Sequence, residues 1–448
     1  MGGRARPPAA ESLSTARPAH RERLAPRGLT LAYLGFAYLC LALAFALLAL
    51  LPRELGGFFY HPKMLAVVHL VTLGWISSSI LGYFHLVAPI ALRTVVRAGW
   101  VDWLAWVLVV IGVSGLVAHF WIDEYSGMVW SAGTLLASLV LVAARAVRAV
   151  AAARVQPGVK LHVILAFVNL LAAGVLGVLL GLEKQLVHVL PGYLLHSVYA
   201  HAHLAALGWA TLMVMGIGYR LFPMVLPAAM PEARRTWASA VLVQCGLVVL
   251  VVALPASSVA GIRVATVLVL AGLLSFFAQV LWMKRHPKPA PKDLPRPDLG
   301  TWHALQGVTY LLLAAGLGTA LAFTPAGAWK IRAAMAYGVF ALVGFLAQMV
   351  VGIAARILPM FAWTHYYVGS DFREIPPSQY TMHDRRLQAI GLVLWSAGVP
   401  LLAWGLSFDR WTEASFGAAA LLAALAANGV NTVLIVRHAF KFPLAGSA

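Results

Sequence analysis

Apolar residues along this chain come in long unbroken blocks, not in the every-third-or-fourth stripe of a helix lying on a soluble core. Blocks of that kind mark helices that are apolar all round, and length separates a buried core helix from a membrane span. Twelve blocks are long enough to cross the roughly 30 Å hydrocarbon layer of a bilayer. They lie near residues 29–51, 62–91, 100–121, 127–148, 160–181, 194–222, 236–254, 261–283, 300–323, 332–359, 387–406 and 412–436. The pattern predicts an all-α, polytopic integral membrane protein of about twelve transmembrane helices.

Two of the blocks repeat each other residue for residue. His69–Pro89 (HLVTLGWISSSILGYFHLVAP) aligns without a gap on His203–Pro223 (HLAALGWATLMVMGIGYRLFP), so that His69/His203, Leu73/Leu207, Gly74/Gly208, Trp75/Trp209, Gly82/Gly216 and Pro89/Pro223 coincide. A weaker third copy has Gly344, Gly352 and Pro359, shares Met349, Arg356 and Met360 with Met213, Arg220 and Met224, and puts Val339 where the histidine stood. The copies fall in segments two, six and ten. That spacing predicts three pseudo-repeats of four helices, about 29–150, 159–284 and 299–437, in one transmembrane bundle over 29–437. Duplicated units hold equivalent residues at equivalent depth, so His69 and His203 are expected in one layer of the membrane. Pro89, Pro223 and Pro359 are expected to end the repeat helices at the inner face.

Charge supplies the orientation. All but seven of the 33 basic residues fall on the side shared by the N-terminal tail and alternate connections; the exceptions are Arg53, Lys63, Lys184, Arg263, Lys330, Arg332 and Arg410. The positive-inside rule then puts both termini in the cytoplasm of a bacterial-type inner membrane. The net charge of +18 reads as topology and attraction to anionic membrane lipids, with no nucleic-acid partner expected. Residues 1–28, rich in Arg, Pro and Ala, are expected to form a disordered cytoplasmic tail, not a secretory signal. A basic, Pro-rich linker is expected over 284–298, and Thr364 to Arg386 forms the longest internal loop.

Histidine is where chemistry concentrates. Within His196–Leu207 (HSVYAHAHLAAL) there are three, and an apolar run carries His201 and His203 into the membrane. On a helix these two leave the axis about 200° apart and about 3 Å apart along it, on opposite faces at one depth. Imidazole is a ligand for haem iron and suits copper, and an intramembrane polar ring needs a partner. A lone histidine of this kind is commonly just hydrogen-bonded to a neighbouring helix, but the duplicated pattern makes a site the stronger reading. His61, His119, His188 and His196 fall at the outer boundary nearby, and His61 and His196 are candidate metal ligands. His85, with Tyr219 as its counterpart, reads as a structural contact; His162 and His303 open inner helix ends and carry no assigned function. Gly74 and Gly208, five residues after their histidines, would let a flat porphyrin or a neighbouring helix approach closely.

Other cofactors find no motif. The two cysteines, Cys40 and Cys245, both lie inside apolar helices, so there is no C-x-x-C-H for covalent haem and no four-cysteine cluster site. No glycine-rich nucleotide-binding motif opens a helix.

HAHLAALGW, followed by Gly216 and the Tyr219…Pro223 ending, resembles the H-x-H-x-x-x-LGW helix of subunit I in the haem–copper oxidase superfamily, nearest its cbb-type and nitric oxide reductase branches. The layout is also similar to the NnrS family of twelve-helix haem- and copper-containing membrane proteins linked to nitric oxide stress. The resemblance implies a non-covalent, bis-histidine haem b near the outer face, with His203 and His69 as its axial ligands, His201 at a second centre, and copper as a further cofactor. It implies electron transfer or diatomic gas chemistry, with a periplasmic electron donor or other respiratory subunits as partners. The departures are specific. In the oxidases H-x-H lies on helix ten, whereas here it lies on helix six, and segment seven has none of the histidines that an oxidase copper site takes from there. Any oxidoreductase activity of oxidase or nitric oxide reductase type would therefore work with an incomplete copper site. A transporter or copper-handling membrane protein without haem is the alternative, its histidines serving as proton or metal relays; the lack of mid-helix Asp or Glu weighs against it.

Overall fold

The structure, a computed structural model, describes residues 24–186, 189–225 and 227–442. The expected tail up to residue 23 and His188 lie outside the described residues. Among the described residues all regular elements are helical, and twelve helices are long and apolar enough to span a membrane. They are α1 (Arg27–Leu50), α2 (Pro62–Ala91), α3 (Trp100–Ile122), α4 (Tyr125–Ala152), α5 (Pro157–Leu186), α6 (Leu194–Met224), α7 (Ala233–Ala253), α8 (Val259–Arg285), α9 (Leu299–Phe323), α10 (Trp329–Gly369), α11 (Arg385–Ser407) and α12 (Trp411–Phe440). The protein is a multi-pass membrane protein, and apolar side chains such as Leu39, Trp130, Val252 and Leu274 face outward where lipid covers them.

The three repeat helices α2, α6 and α10 are the most buried of the twelve. Each packs on the first helix of its own unit through a pair of glycines eight residues apart. A methyl group on Gly208 would lie 2.6 Å from the Asn169 Cβ, and one on Gly344 2.6 Å from the Tyr310 Cγ, while Gly74 presses in the same way on Cys40. One turn of bulk at any of these points would force the helices apart. The space that Gly74 and Gly208 clear is thus filled by neighbouring helices.

Each repeat helix also winds as a π-helix over one stretch: Leu70–Ser77, Leu204–Thr211 and Phe340–Ala347. The wider winding begins one residue after His69, His203 and Val339, the same position of all three repeats. Such windings are rare and concentrate at functional sites. Hydroxyls take up part of the disturbed carbonyl ladder: Ser78 donates to the Leu73 carbonyl at 2.9 Å and Thr211 to that of Ala206 at 2.8 Å.

The tryptophans of the LGW motif tie the repeats to one another. Trp209 Nε1 donates to Ser77 Oγ at 3.1 Å, and Trp75 Nε1 donates to the Ala347 carbonyl at 3.2 Å. In repeat coordinates the two contacts are the same: a position in one unit meets the position two residues earlier in the next, cyclically around the axis. Phe345, the third equivalent, has no N–H to offer.

Two expectations need correction. Pro359 does not end its helix; α10 runs on to Gly369. Proline removes one backbone donor, and in a membrane helix neighbouring segments can absorb that loss. The internal loop consequently begins at Ser370, not at Thr364.

Candidate functional site

A cavity of about 210 Å³ opens among α2, α3, α4, α5 and α6, with Leu342 and Leu346 of α10 closing its deep side. It lies toward the end of the bundle that carries few cations. Its walls are mostly aliphatic, and His69, His201, Lys184 and Tyr60 are among its few polar residues.

His69 and His201 enter it from different helices, their ring centres 6.5 Å apart and their planes inclined by 29°. His69 Nδ1 lies 2.7 Å from the Leu65 carbonyl, one turn back on its own helix, and His201 Nδ1 lies 2.9 Å from the Ala173 carbonyl of α5. A carbonyl oxygen only accepts, so in both rings Nδ1 carries the proton and Nε2 carries the lone pair. A backbone carbonyl behind the ring is the usual support of a metal-binding imidazole. Neither Nε2 has a hydrogen-bond partner in the protein among the described residues. Two Nε2 atoms each about 2 Å from one metal ion put their ring centres roughly 6 Å apart, close to the separation found. Phe120 stacks on the outer side of His69 with ring centres 4.9 Å apart.

The seat for His201 is cut into α5 by small residues. Gly174, Gly177 and Gly181 share one helical face that lines the cavity, and a methyl group on Gly177 would stand 3.1 Å from the His201 Cε1. With no side chain at Gly177, the Cε1–Nδ1 edge of the ring comes close against α5 and reaches the Ala173 carbonyl.

His203 points elsewhere. Its Nδ1 lies 2.8 Å from the Tyr199 carbonyl, and its Nε2 accepts from the Tyr337 hydroxyl at 3.2 Å. It does not line the cavity. The structure therefore brings His69 to His201, whereas repeat equivalence and the family resemblance implied His69 with His203. The cause is rotational. Equivalent residues are spread around the pseudo-threefold axis, and each faces the residue two earlier in the next repeat, as Ser77 and Ala347 face their tryptophans. His69 meets His201 by this rule, and His203 meets Tyr337; at the third interface the two positions are Val339 and Val67.

Six further histidines lie outside the cavity. His61 is exposed at the start of α2, and His196 has its Nδ1 3.2 Å from the Ser257 hydroxyl; neither lines the cavity. His119 Nδ1 lies 2.6 Å from the Gly115 carbonyl, with Nε2 3.7 Å from Glu124. His162 joins the Gly158 carbonyl and Ser239, and His303 lies 3.3 Å from Gln348. His85 is buried beside the Asp102–Arg145 ion pair of 2.9 Å, its Nδ1 unpartnered. Among the described residues no three His, Cys, Asp or Glu side chains converge; His69 and His201 could offer a cofactor two nitrogens.

Four participants escaped the sequence reading: the α5 glycines, the Ala173 carbonyl, Lys184 and Tyr337. The G-x-x-G-x-x-x-G spacing of residues 174–181 was the available signal for the first, and Tyr337 stands at the repeat position of His201. Searches of protein-family models and of curated proteins each found no match to this chain.

Proposed function

We propose that this is a haem-binding integral membrane protein that holds a non-covalent b-type haem between His69 and His201, and acts in electron transfer or in chemistry of a diatomic gas, oxygen or nitric oxide. The observation that carries the reading is the pair of imidazoles facing one apolar cavity, each with Nδ1 anchored to a carbonyl and Nε2 free. An imidazole so held presents its lone pair in a fixed direction and loses little freedom on ligation. The aliphatic walls exclude water and suit the faces of a macrocycle. A haem bound there would supply one-electron redox chemistry, at a potential set by its two axial ligands and the low polarity around them.

The charge distribution supports an orientation with both termini in the cytoplasm of a bacterial-type inner membrane, which turns the cavity toward the periplasmic side. A periplasmic electron donor or further respiratory subunits fit that placement. Likeness to haem–copper oxidase subunit I and to NnrS proteins remains at the level of the H-x-H and LGW motifs and the three-by-four helix plan. Met128 also lines the cavity, and thioether with imidazole suits copper(I), which favours copper handling as the second reading.

The reduced-minus-oxidised absorption spectrum of the purified, detergent-solubilised protein tests the proposal. Sharp low-spin bands with one haem per chain are expected; a preparation that binds no haem when reconstituted, yet retains copper, would replace the first reading with the second.

A further inference from the structure

Among the described residues, Lys184 is the one cation that lines the cavity. It projects from the last turn of α5, and its Nζ sits 5.0 Å from the centre of the Tyr60 ring and 5.1 Å from that of Tyr125. No carboxylate pairs with it among the described residues. Lys63, close by on the same side, differs: its Nζ donates to Glu54 at 2.7 Å. Two aromatic faces flank the Lys184 ammonium, but a ring face is a weak partner, and N–H donors that meet no oxygen among the described residues at an apolar rim call for an anion.

We propose that Lys184 binds a carboxylate of the molecule in the cavity, so that the site takes an amphipathic ligand with its acidic edge at the outer mouth and its apolar body between His69 and His201. The inference rests on the haem reading above, and there the carboxylate is a haem propionate. Lys184 is seven residues beyond Gly177, the residue that seats His201, which is roughly 10 Å along the helix. That is the reach of half a porphyrin and one propionate arm. The tyrosine faces add orientation: they keep the ammonium from turning into bulk water, so the gain on pairing is made with little loss of side-chain freedom.

The test uses the full-length protein in detergent, stripped of bound pigment and titrated with protohaem and with its dimethyl ester, in which both carboxylates are blocked. Wild type is expected to bind protohaem about tenfold more tightly than the ester, the size of one charge-assisted hydrogen bond. Lys184→Met should bind both with the affinity wild type has for the ester, and Lys184→Arg should keep the preference. Equal affinities in wild type, or an undiminished preference in Lys184→Met, would overturn the assignment and leave the haem reading standing. Binding of neither porphyrin would remove both. Oleate bound by wild type and not by Lys184→Met, with no porphyrin bound, would assign the lysine to a lipid carboxylate and overturn the propionate assignment together with the haem reading.

Discussion

The histidines of this protein differ in what the Nε2 lone pair meets. His69, His201 and His203 all place Nδ1 against a backbone carbonyl, but His203 spends its Nε2 lone pair on the Tyr337 hydroxyl. His162 spends both nitrogens inside the bundle, on Gly158 and Ser239. Outside the membrane, His383 shows a different effect of burial. Loss of hydration, with the Arg356 guanidinium next, pulls its pKa down to about 4, against weaker opposing contributions from the Ala355 backbone and Asp298. An unfolded chain protonates this ring near pH 6.5. Between those values the unfolded state binds more protons, so this residue's contribution to stability is intact above about pH 6.5 and is lost as the pH falls toward 4. His383→Gln cannot take up that proton. Thermal unfolding of the two proteins between about pH 7 and about pH 4.5 should show wild type losing more stability on acidification than the variant; equal losses would count against the assignment.

At the scale of the element, the twelve spans were legible because a membrane helix needs only length and apolarity, and both are local properties. The repeat was legible as well, since the glycine and tryptophan positions recur at a constant offset. The π-winding was not: Leu70–Ser77 and Leu204–Thr211 have nothing in their composition that an α-helix would refuse. The winding recurs at Phe340–Ala347, where Phe345 has no N–H to clamp with, so what the three stretches share is the close approach of a neighbouring helix at Gly74, Gly208 and Gly344. Pro359 escaped for the reverse reason, because a strong local signal was overridden by packing. Gly208→Ala should destabilise the protein by about 1–3 kcal/mol, the usual cost of overpacking, since its methyl group would meet Asn169 and Leu247 within 2.8 Å. Trp209→Phe should cost about 1 kcal/mol for the lost hydrogen bond to Ser77. Thermal or chemical unfolding in detergent reads both, and a Gly208→Ala protein as stable as wild type would mean that α5 and α6 are less closely packed than described.

For the whole molecule, the arrangement of three units around an axis explains why the site was only half legible. Sequence placed His69, His201 and His203 at one depth, which is a one-dimensional property. Partnership depends on rotation about the axis, and equal repeat positions are those that symmetry keeps apart. The p to p−2 rule follows from four contacts, two through tryptophan and two through histidine, and it pairs His69 with His201. Orientation is tested by single cysteines: position 292 in the linker should be labelled from the cytoplasmic side and position 190 from the outside, and the opposite result would turn the cavity inward. The His69–His201 partnership is read out by the low-spin haem spectrum of three purified variants. His69→Ala and His201→Ala should each lose the low-spin signal, through conversion to high spin or loss of haem, whereas His203→Ala, which gives up only its bond to Tyr337, should keep it. A low-spin spectrum lost in His203→Ala and retained in His201→Ala would contradict the account.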